Sequence, residues 1–176
     1  MAEVDHLNNI LTDFLSIERL ETGRESYKLK DFSLSKVINE VLYSAHMMLK
    51  NGQFIHYPQN IDDIIIHQDE KIVMLCLTNL LYNAIKYSPE QSAIDLRIRL
   101  LEKKVVFTVQ DKGIGIPQKD QKHIFERYFR AENVLTTQGT GIGLNIVKQH
   151  IENLGGIVYF KSEESIGSTF TFELPL

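Results

Sequence analysis

Residues 92 to 111, SAIDLRIRLLEKKVVFTVQD, restrict the fold more than any other stretch. Ile94, Leu96, Ile98 and Leu100 alternate with polar residues, which is the period of a strand with one buried face. EKK makes the turn and VVFTVQD supplies the second strand, and strands joined so tightly run antiparallel. Their apolar face needs a cover, and the covers are helical. Ile72, Leu75, Cys76, Leu80 and Ala84 recur at helical spacing behind a capping Asp69, predicting a helix from about Glu70 to Tyr87. Val37, Ile38, Val41, Leu42 and Ala45 predict another, opened by Ser33, running to about Leu49 and closed by Asn51-Gly52. A third runs from about Ile142 to Leu154, and GGIVYFKS and GSTFTFELP form a last hairpin that turns near Ser165 to Gly167. QFIHYP and DIIIHQ read as short strands. Grouped hairpins and helices predict an α+β fold, a two-layer sandwich with helices on one face of the sheet.

An arm precedes this domain. Val4, Leu7, Leu11 and Phe14, widened by Ile10, Ile17 and Leu20, form an amphipathic, near-heptad stripe that ends at Thr22-Gly23. Such a helix over residues 1–23 either packs on its own domain or is one arm of a helical bundle. A polar connector, 24–32, leads to the domain at 33–176. The net charge of −4, with both signs scattered, argues against a general nucleic-acid binder. The single cysteine, Cys76, rules out an intrachain disulfide and reads as a small buried hydrophobe rather than part of a zinc cluster. No apolar run approaches the roughly 18 residues that span a bilayer, and no basic-flanked signal peptide opens the chain. The expectation is a soluble, cytoplasmic fragment with no membrane contact of its own.

Four blocks carry chemistry. In NLLYNAIKY, Asn79 and Asn83 share one helix face, with Lys86 and Tyr87 beside them. Either neighbouring backbone satisfies the two amides, or an amide oxygen joins the oxygen shell of Mg²⁺ while Lys86 offers phosphate a point charge. In DKGIGIP, Asp111 ends a strand before Gly113, Gly115 and Ile116. That is an ordinary turn, or a carboxylate that accepts a hydrogen bond from an adenine amino group. In QGTGIGL, Gly139, Thr140, Gly141, Gly143 and Leu144 open a helix. Orphan N–H groups at a helix start favour phosphate, and absent Cβ atoms allow close approach. In IFERYFR, Phe125, Tyr128 and Phe129 are apolar anchors and Arg127 and Arg130 are cations. This block is a short docked helix, or part of a lid over residues 116–138 that brings an arginine to a transferring phosphoryl group. A Walker A loop is absent. A dinucleotide fingerprint fails because the sixth position from Gly139 is Leu144 and from Gly113 is Gln118.

In this order the four blocks resemble the N, G1, F and G2 boxes of sensor histidine kinases, whose catalytic domain shares its family with gyrase and Hsp90. The match covers roughly residues 33 to 176. The resemblance implies a Bergerat-type sandwich with a mixed, mostly antiparallel sheet. It implies an ATP/ADP and Mg²⁺ site under a mobile lid. Asn83 would be the metal ligand with Asn79 beside it, Lys86 would meet phosphate, and Tyr87 would contact the nucleotide. Asp111 would read adenine. Gly113, Gly115, Gly139, Gly141 and Gly143 would shape the pocket and hinge the lid, with Ile116, Thr140 and Leu144 among the nucleotide-contacting positions. Arg127 and Arg130 would be catalytic or lid-positioning, and the resemblance does not choose between them. ATPases of the family carry a water-activating Glu where this chain has Asn79, so rapid ATP hydrolysis is not expected.

Histidine kinases phosphorylate a histidine followed by an acidic residue and Arg-Thr-Pro. His6, His46, His56, His67, His123 and His150 all lack that context. His6 lies on the arm, but Leu7 follows it and no proline comes after. The arm therefore resembles the second helix of the dimerising hairpin. The chain reads as a truncated kinase whose partners would be nucleotide, the phosphoacceptor helix of its parent, a response regulator and, through the exposed arm, a second copy. The parent can be membrane-anchored. The alternatives are a non-catalytic nucleotide-binding or dimerising module and an anti-sigma-type serine kinase.

Overall fold

The computed structural model describes Glu18 and residues 26–62, 64–137 and 139–176. Apart from Glu18, the arm expected over 1–23 lies outside the described residues, and so does His6. The elements run β1 (Lys30–Ser33), α1 (Leu34–His46), β2 (Phe54–His56), β3 (Ile65–Gln68), α2 (Glu70–Tyr87), β4 (Ala93–Leu101) and β5 (Lys104–Gln110). After two 3-10 turns, Gln121–His123 and Glu132–Val134, come α3 (Gly143–Asn153), β6 (Ile157–Glu163) and β7 (Gly167–Pro175).

Two sheets form. Five strands stand in the order β2-β4-β5-β7-β6, and β1 pairs with β3 in a separate two-stranded sheet. Every pairing is antiparallel except β2 with β4, so the main sheet is mixed. The expected hairpin is present, with Leu96 opposite Val109 and Ile98 opposite Phe107. Period two then divides the sheet. Ile94, Leu96, Val105, Phe107, Val109, Phe170, Phe172 and Leu174 are buried towards the helices, with Phe107 and Phe172 stacked at 4.7 Å. Arg97, Thr108, Thr171 and Tyr159 lie in register on the other face.

The helices form where their caps and stripes predict. Asp69 accepts hydrogen bonds from the backbone N–H groups of Lys71 (3.0 Å) and Ile72 (3.2 Å), closing the start of α2. Leu34, Val37, Ile38, Val41, Leu42 and Ala45 bury the core face of α1, which stops at His46 rather than near Leu49. Ser33 precedes it without a side-chain cap.

One segment departs from expectation. Lys30–Ser33, placed mostly in the polar connector, is a strand. KDFS has no alternation strong enough to announce it, since its one large apolar residue is Phe32, buried at 7% exposure. It is extended because β3 offers it a partner, which is tertiary context overriding local preference.

Candidate functional site

The helix layer and one end of the sheet enclose a cleft of about 260 Å³. Helix α2 contributes Asn79, Tyr82, Asn83 and Lys86 from successive turns, then Tyr87. Asp111, just beyond β5, and Ile114, Gly115 and Ile116 line the next wall. The segment after Ile116 adds Ile124, Phe129, Arg130, Asn133 and Val134. Gly139, Thr140, Gly141, Gly143 and Leu144 lead into α3, and Ser168 and Phe170 of β7 form the floor. The cleft gathers all but two of the residues expected at the site. Gly113 stands behind Asp111, and Arg127 lies outside the lining.

Asp111 is 9% exposed. Its Oδ1 accepts the backbone N–H groups of Gly113 at 2.8 Å and Ser168 at 3.2 Å. Oδ2 has no protein partner among the described residues, so one acceptor atom is left for a ligand. Burial raises the carboxyl above its ordinary range, and the two N–H bonds oppose that. Gly113 is required at its position, because a Cβ there would stand 2.6 Å from the Tyr87 carbonyl oxygen.

On α2, Asn79 donates from Nδ2 to the Leu75 carbonyl at 3.0 Å, within its own helix. Asn83, one turn on, has no protein partner among the described residues although it lines the cleft. Lys86 Nζ lies 4.8 Å from the centre of the Tyr87 ring.

The glycines of QGTGIGL answer first to the protein itself. The expectation was that phosphate explains their missing Cβ atoms. That expectation stands beside a second constraint: a Cβ on Gly141 would stand 2.7 Å from the Phe129 carbonyl oxygen, one on Gly139 2.6 Å from Lys86 Nζ, and one on Gly143 against Asn79 Oδ1. Gly141 also has φ +72°. Close packing against backbone therefore imposes glycine at Gly141, and the tight approach of Asn79 does so at Gly143, whereas the flexible Lys86 side chain opposite Gly139 can move aside. That packing leaves the start of α3 without a side-chain cap, so its orphan N–H groups are free for an anion.

Residues 116–137 pack onto the core. Phe125 meets Phe160 edge-on at 5.8 Å, and its carbonyl accepts Asn145 Nδ2 of α3 at 2.9 Å. The docked-helix alternative for IFERYFR fails, since residues 124–128 form turns and a bend rather than a helix and Tyr128 takes φ 63°. Arg130 lines the cleft, yet its Nη2 donates to the carbonyls of Val134 (2.5 Å) and Thr137. Asn133 donates to the Gly115 carbonyl at 3.0 Å, closing the stretch on its own beginning.

Tyr82, Ser168 and Asn133 are cleft residues that the sequence reading missed. Tyr82 was legible, because it sits three residues from Asn79 on the same helix face. Ser168 and Asn133 had no signal, since register and loop path bring them in. Among the described residues no group of three or more His, Cys, Asp or Glu is placed to hold a metal. A cation here would rest on Asn83, phosphate oxygens and water, a hard-oxygen set of the kind Mg²⁺ takes.

Known proteins share this fold. The family described as "Histidine kinase-, DNA gyrase B-, and HSP90-like ATPase" matches residues 68–176. The circadian input-output histidine kinase CikA of Synechococcus elongatus is 30% identical over 178 residues, covering 97% of this chain and 23% of that protein. The chain thus spans about a quarter of that relative's length. The catalytic domain of histidine kinase ThkA, in a nucleotide-free form, superposes with a TM-score of 0.70 at 28% identity, covering 84% of this chain and 95% of that one. ThkA in complex with the response regulator TrrA gives 0.73 at 24% identity, covering 98% of this chain and 48% of that one. Full-length ShkA in complex with AMPPNP gives 0.78 at 27% identity, covering 97% of this chain and 36% of that one.

Proposed function

We propose, since this chain belongs to the histidine kinase-, DNA gyrase B-, and HSP90-like ATPase family, that its cleft presents the γ-phosphoryl group of Mg-ATP to a histidine on the phosphoacceptor helix of a longer parent kinase. The chain is an ATP-binding catalytic domain of the sensor histidine kinase type. The observation that carries the proposal is the polarity of the cleft. The buried Asp111 carboxylate keeps one oxygen without a protein partner among the described residues, and Asn83, Lys86 and the uncapped start of α3 line the same cleft, which supports a base contact at the first and phosphate contacts at the others.

Each residue then has a task. Asp111 Oδ2 accepts the adenine amino hydrogen, and Ile114, Ile116 and Phe170 exclude water around the base. Tyr87 contacts the nucleotide. The first N–H groups of α3, beyond Gly139, Thr140 and Gly141, bind phosphate oxygens, and Lys86 Nζ adds a point charge. The Asn83 amide oxygen, without a protein partner among the described residues, would hold a hard cation, with Asn79 one turn away. Mg²⁺ supplies charge neutralisation during transfer. Arg130 stabilises charge on the transferring group once its guanidinium leaves the Val134 and Thr137 carbonyls. Arg127 acts on lid position. Residues 116–138 serve as the lid, and the packing of Phe125 on Phe160 supports a closed position for it. Asn79 offers no carboxylate to activate water, so transfer is favoured over hydrolysis.

Partners follow from the same reading: the parent's phosphoacceptor helix, a response regulator that takes the phosphoryl group onward, and a second copy through residues 1–23. The test is transfer of label from γ-labelled ATP with Mg²⁺ to an added histidine-bearing hairpin of the parent. Acid-labile label on the hairpin alone is the expected result. Acid-stable label on serine, or label on this chain that His6→Gln abolishes, would overturn it.

A further inference from the structure

The last four carbonyls of an α-helix have no partner within the helix, and at the end of α2 each has a specific donor. Ala84 O accepts the Ser88 N–H at 3.2 Å, and Tyr87 O accepts the Ile114 N–H at 3.2 Å. The other two are served from outside the cleft. Gln53 Nε2 donates to Ile85 O at 3.1 Å, and Lys50 Nζ donates to Lys86 O at 2.7 Å. The same pair reaches past the helix. Lys50 Nζ donates to Ser88 O at 2.7 Å, while Gln53 Nε2 shares its hydrogens with Ser88 O (3.2 Å) and Pro89 O (3.0 Å).

Lys50 and Gln53 also hold each other. The Lys50 N–H donates to Gln53 Oε1 at 2.8 Å, and the Gln53 N–H donates to Lys50 O at 3.0 Å. Gly52 makes the turn between them at φ +68°. Gln53 is buried, at 7% exposure. No glycine follows Tyr87 to end the helix by its own backbone, because the next residues are Ser88 and Pro89. The closure therefore comes from the loop after α1, and it brings a cation to the negative end of the helix dipole.

This helix end is where the cleft is assembled. Lys86 projects against Gly139, and the Tyr87 carbonyl receives the loop after Asp111. We infer that Lys50 and Gln53 are positioning residues for phosphate binding, acting through Lys86. The inference rests on the reading of the cleft as a nucleotide site. Without the clamp, the last turn of α2 frays and Lys86 Nζ loses its fixed station over the glycine loop. Asp111 itself is held by Gly113 and Ser168, so its hydrogen bond to the base depends on the clamp less than the Lys86 contact does.

A double-mutant cycle on the full chain separates positioning from general stability. ADP with Mg²⁺ and adenosine are titrated calorimetrically against the wild type, Lys50→Met, Lys86→Met and the double variant. Lys50→Met is expected to weaken ADP binding about tenfold and adenosine binding less than about twofold. In the Lys86→Met background the same change is expected to weaken ADP binding less than about twofold. Equal losses in both backgrounds, or equal losses for ADP and adenosine, would overturn the inference. If Lys50→Met fails to fold, Lys50→Gln, which keeps a donor without the charge, serves the same cycle. A wild type that binds neither ligand would refute the reading of the cleft itself, whereas normal wild-type binding with an unaffected Lys50→Met would refute only the clamp.

Discussion

Asp111→Asn is the most discriminating perturbation of the cleft, because the structure separates the two jobs of this side chain. Oδ1 accepts the N–H groups of Gly113 and Ser168 and so ties the end of β5 to β7. Oδ2 has no protein partner among the described residues and faces the base in the proposed reading. An amide placed there keeps its oxygen on both N–H groups and puts its NH₂ where Oδ2 was. The backbone anchor survives, and burial already opposes the carboxylate charge, so the melting temperature should move by no more than a few degrees. The ligand contact reverses. A hydrogen bond to a charged acceptor, worth about 1.5–3 kcal/mol, becomes two donors facing each other. At 1.4 kcal/mol per tenfold, ADP affinity should fall by roughly 10- to 150-fold. GDP, whose base carries a carbonyl acceptor at the corresponding position, should gain relative to ADP. Calorimetric titration of both nucleotides with Mg²⁺ at pH 7.5 reads the outcome. ADP affinity within about twofold of wild type in a folded variant would show that Asp111 does not read the base.

Three further expectations rest on other parts of the structure. Asn83→Ala removes the unpartnered amide, so Mg²⁺ should strengthen ADP binding to the wild type but not to the variant. An undiminished metal effect by calorimetry would remove Asn83 from the metal shell. Gly141→Ala adds a Cβ 2.7 Å from the Phe129 carbonyl at φ +72°, where the left-handed backbone alone costs about 1–2 kcal/mol. Amide hydrogen exchange over residues 124–134 should accelerate, and unchanged exchange would mean that the lid is not held there. His150, at 1% exposure, is lowered by burial from 6.5 to about 4, with Asp69 opposing. Between those values the unfolded chain binds a proton that the folded chain refuses, so this contribution is complete above about pH 6.5 and is lost as pH falls towards 4. It amounts to about 3 kcal/mol. Urea unfolding from pH 7 to 4 should show a steeper loss in the wild type than in His150→Leu, and parallel curves would exclude His150 as the source.

The sequence alone determined what repeats locally. Alternation in 94–100 specifies a half-buried strand, and the three-to-four spacing along 72–84 together with the Asp69 cap specifies α2, because each signal is a property of a few consecutive residues. The cleft stripe Asn79, Asn83, Lys86 was legible for the same reason, since helical geometry puts those residues on one face wherever the helix lies. Tertiary structure decided what depends on a distant partner. Lys30–Ser33 is a strand only because β3 lies beside it, and β2 is parallel to β4 only because the chain returns through α2. Ser168 joins the site because β7 registers Thr169 against Gln110 and places the next residue beside Asp111. The glycines of QGTGIGL were visible, but their cause was not. A missing Cβ announces that something comes close, and only the folded chain shows the carbonyl of Phe129 against Gly141 and the amide of Asn79 against Gly143.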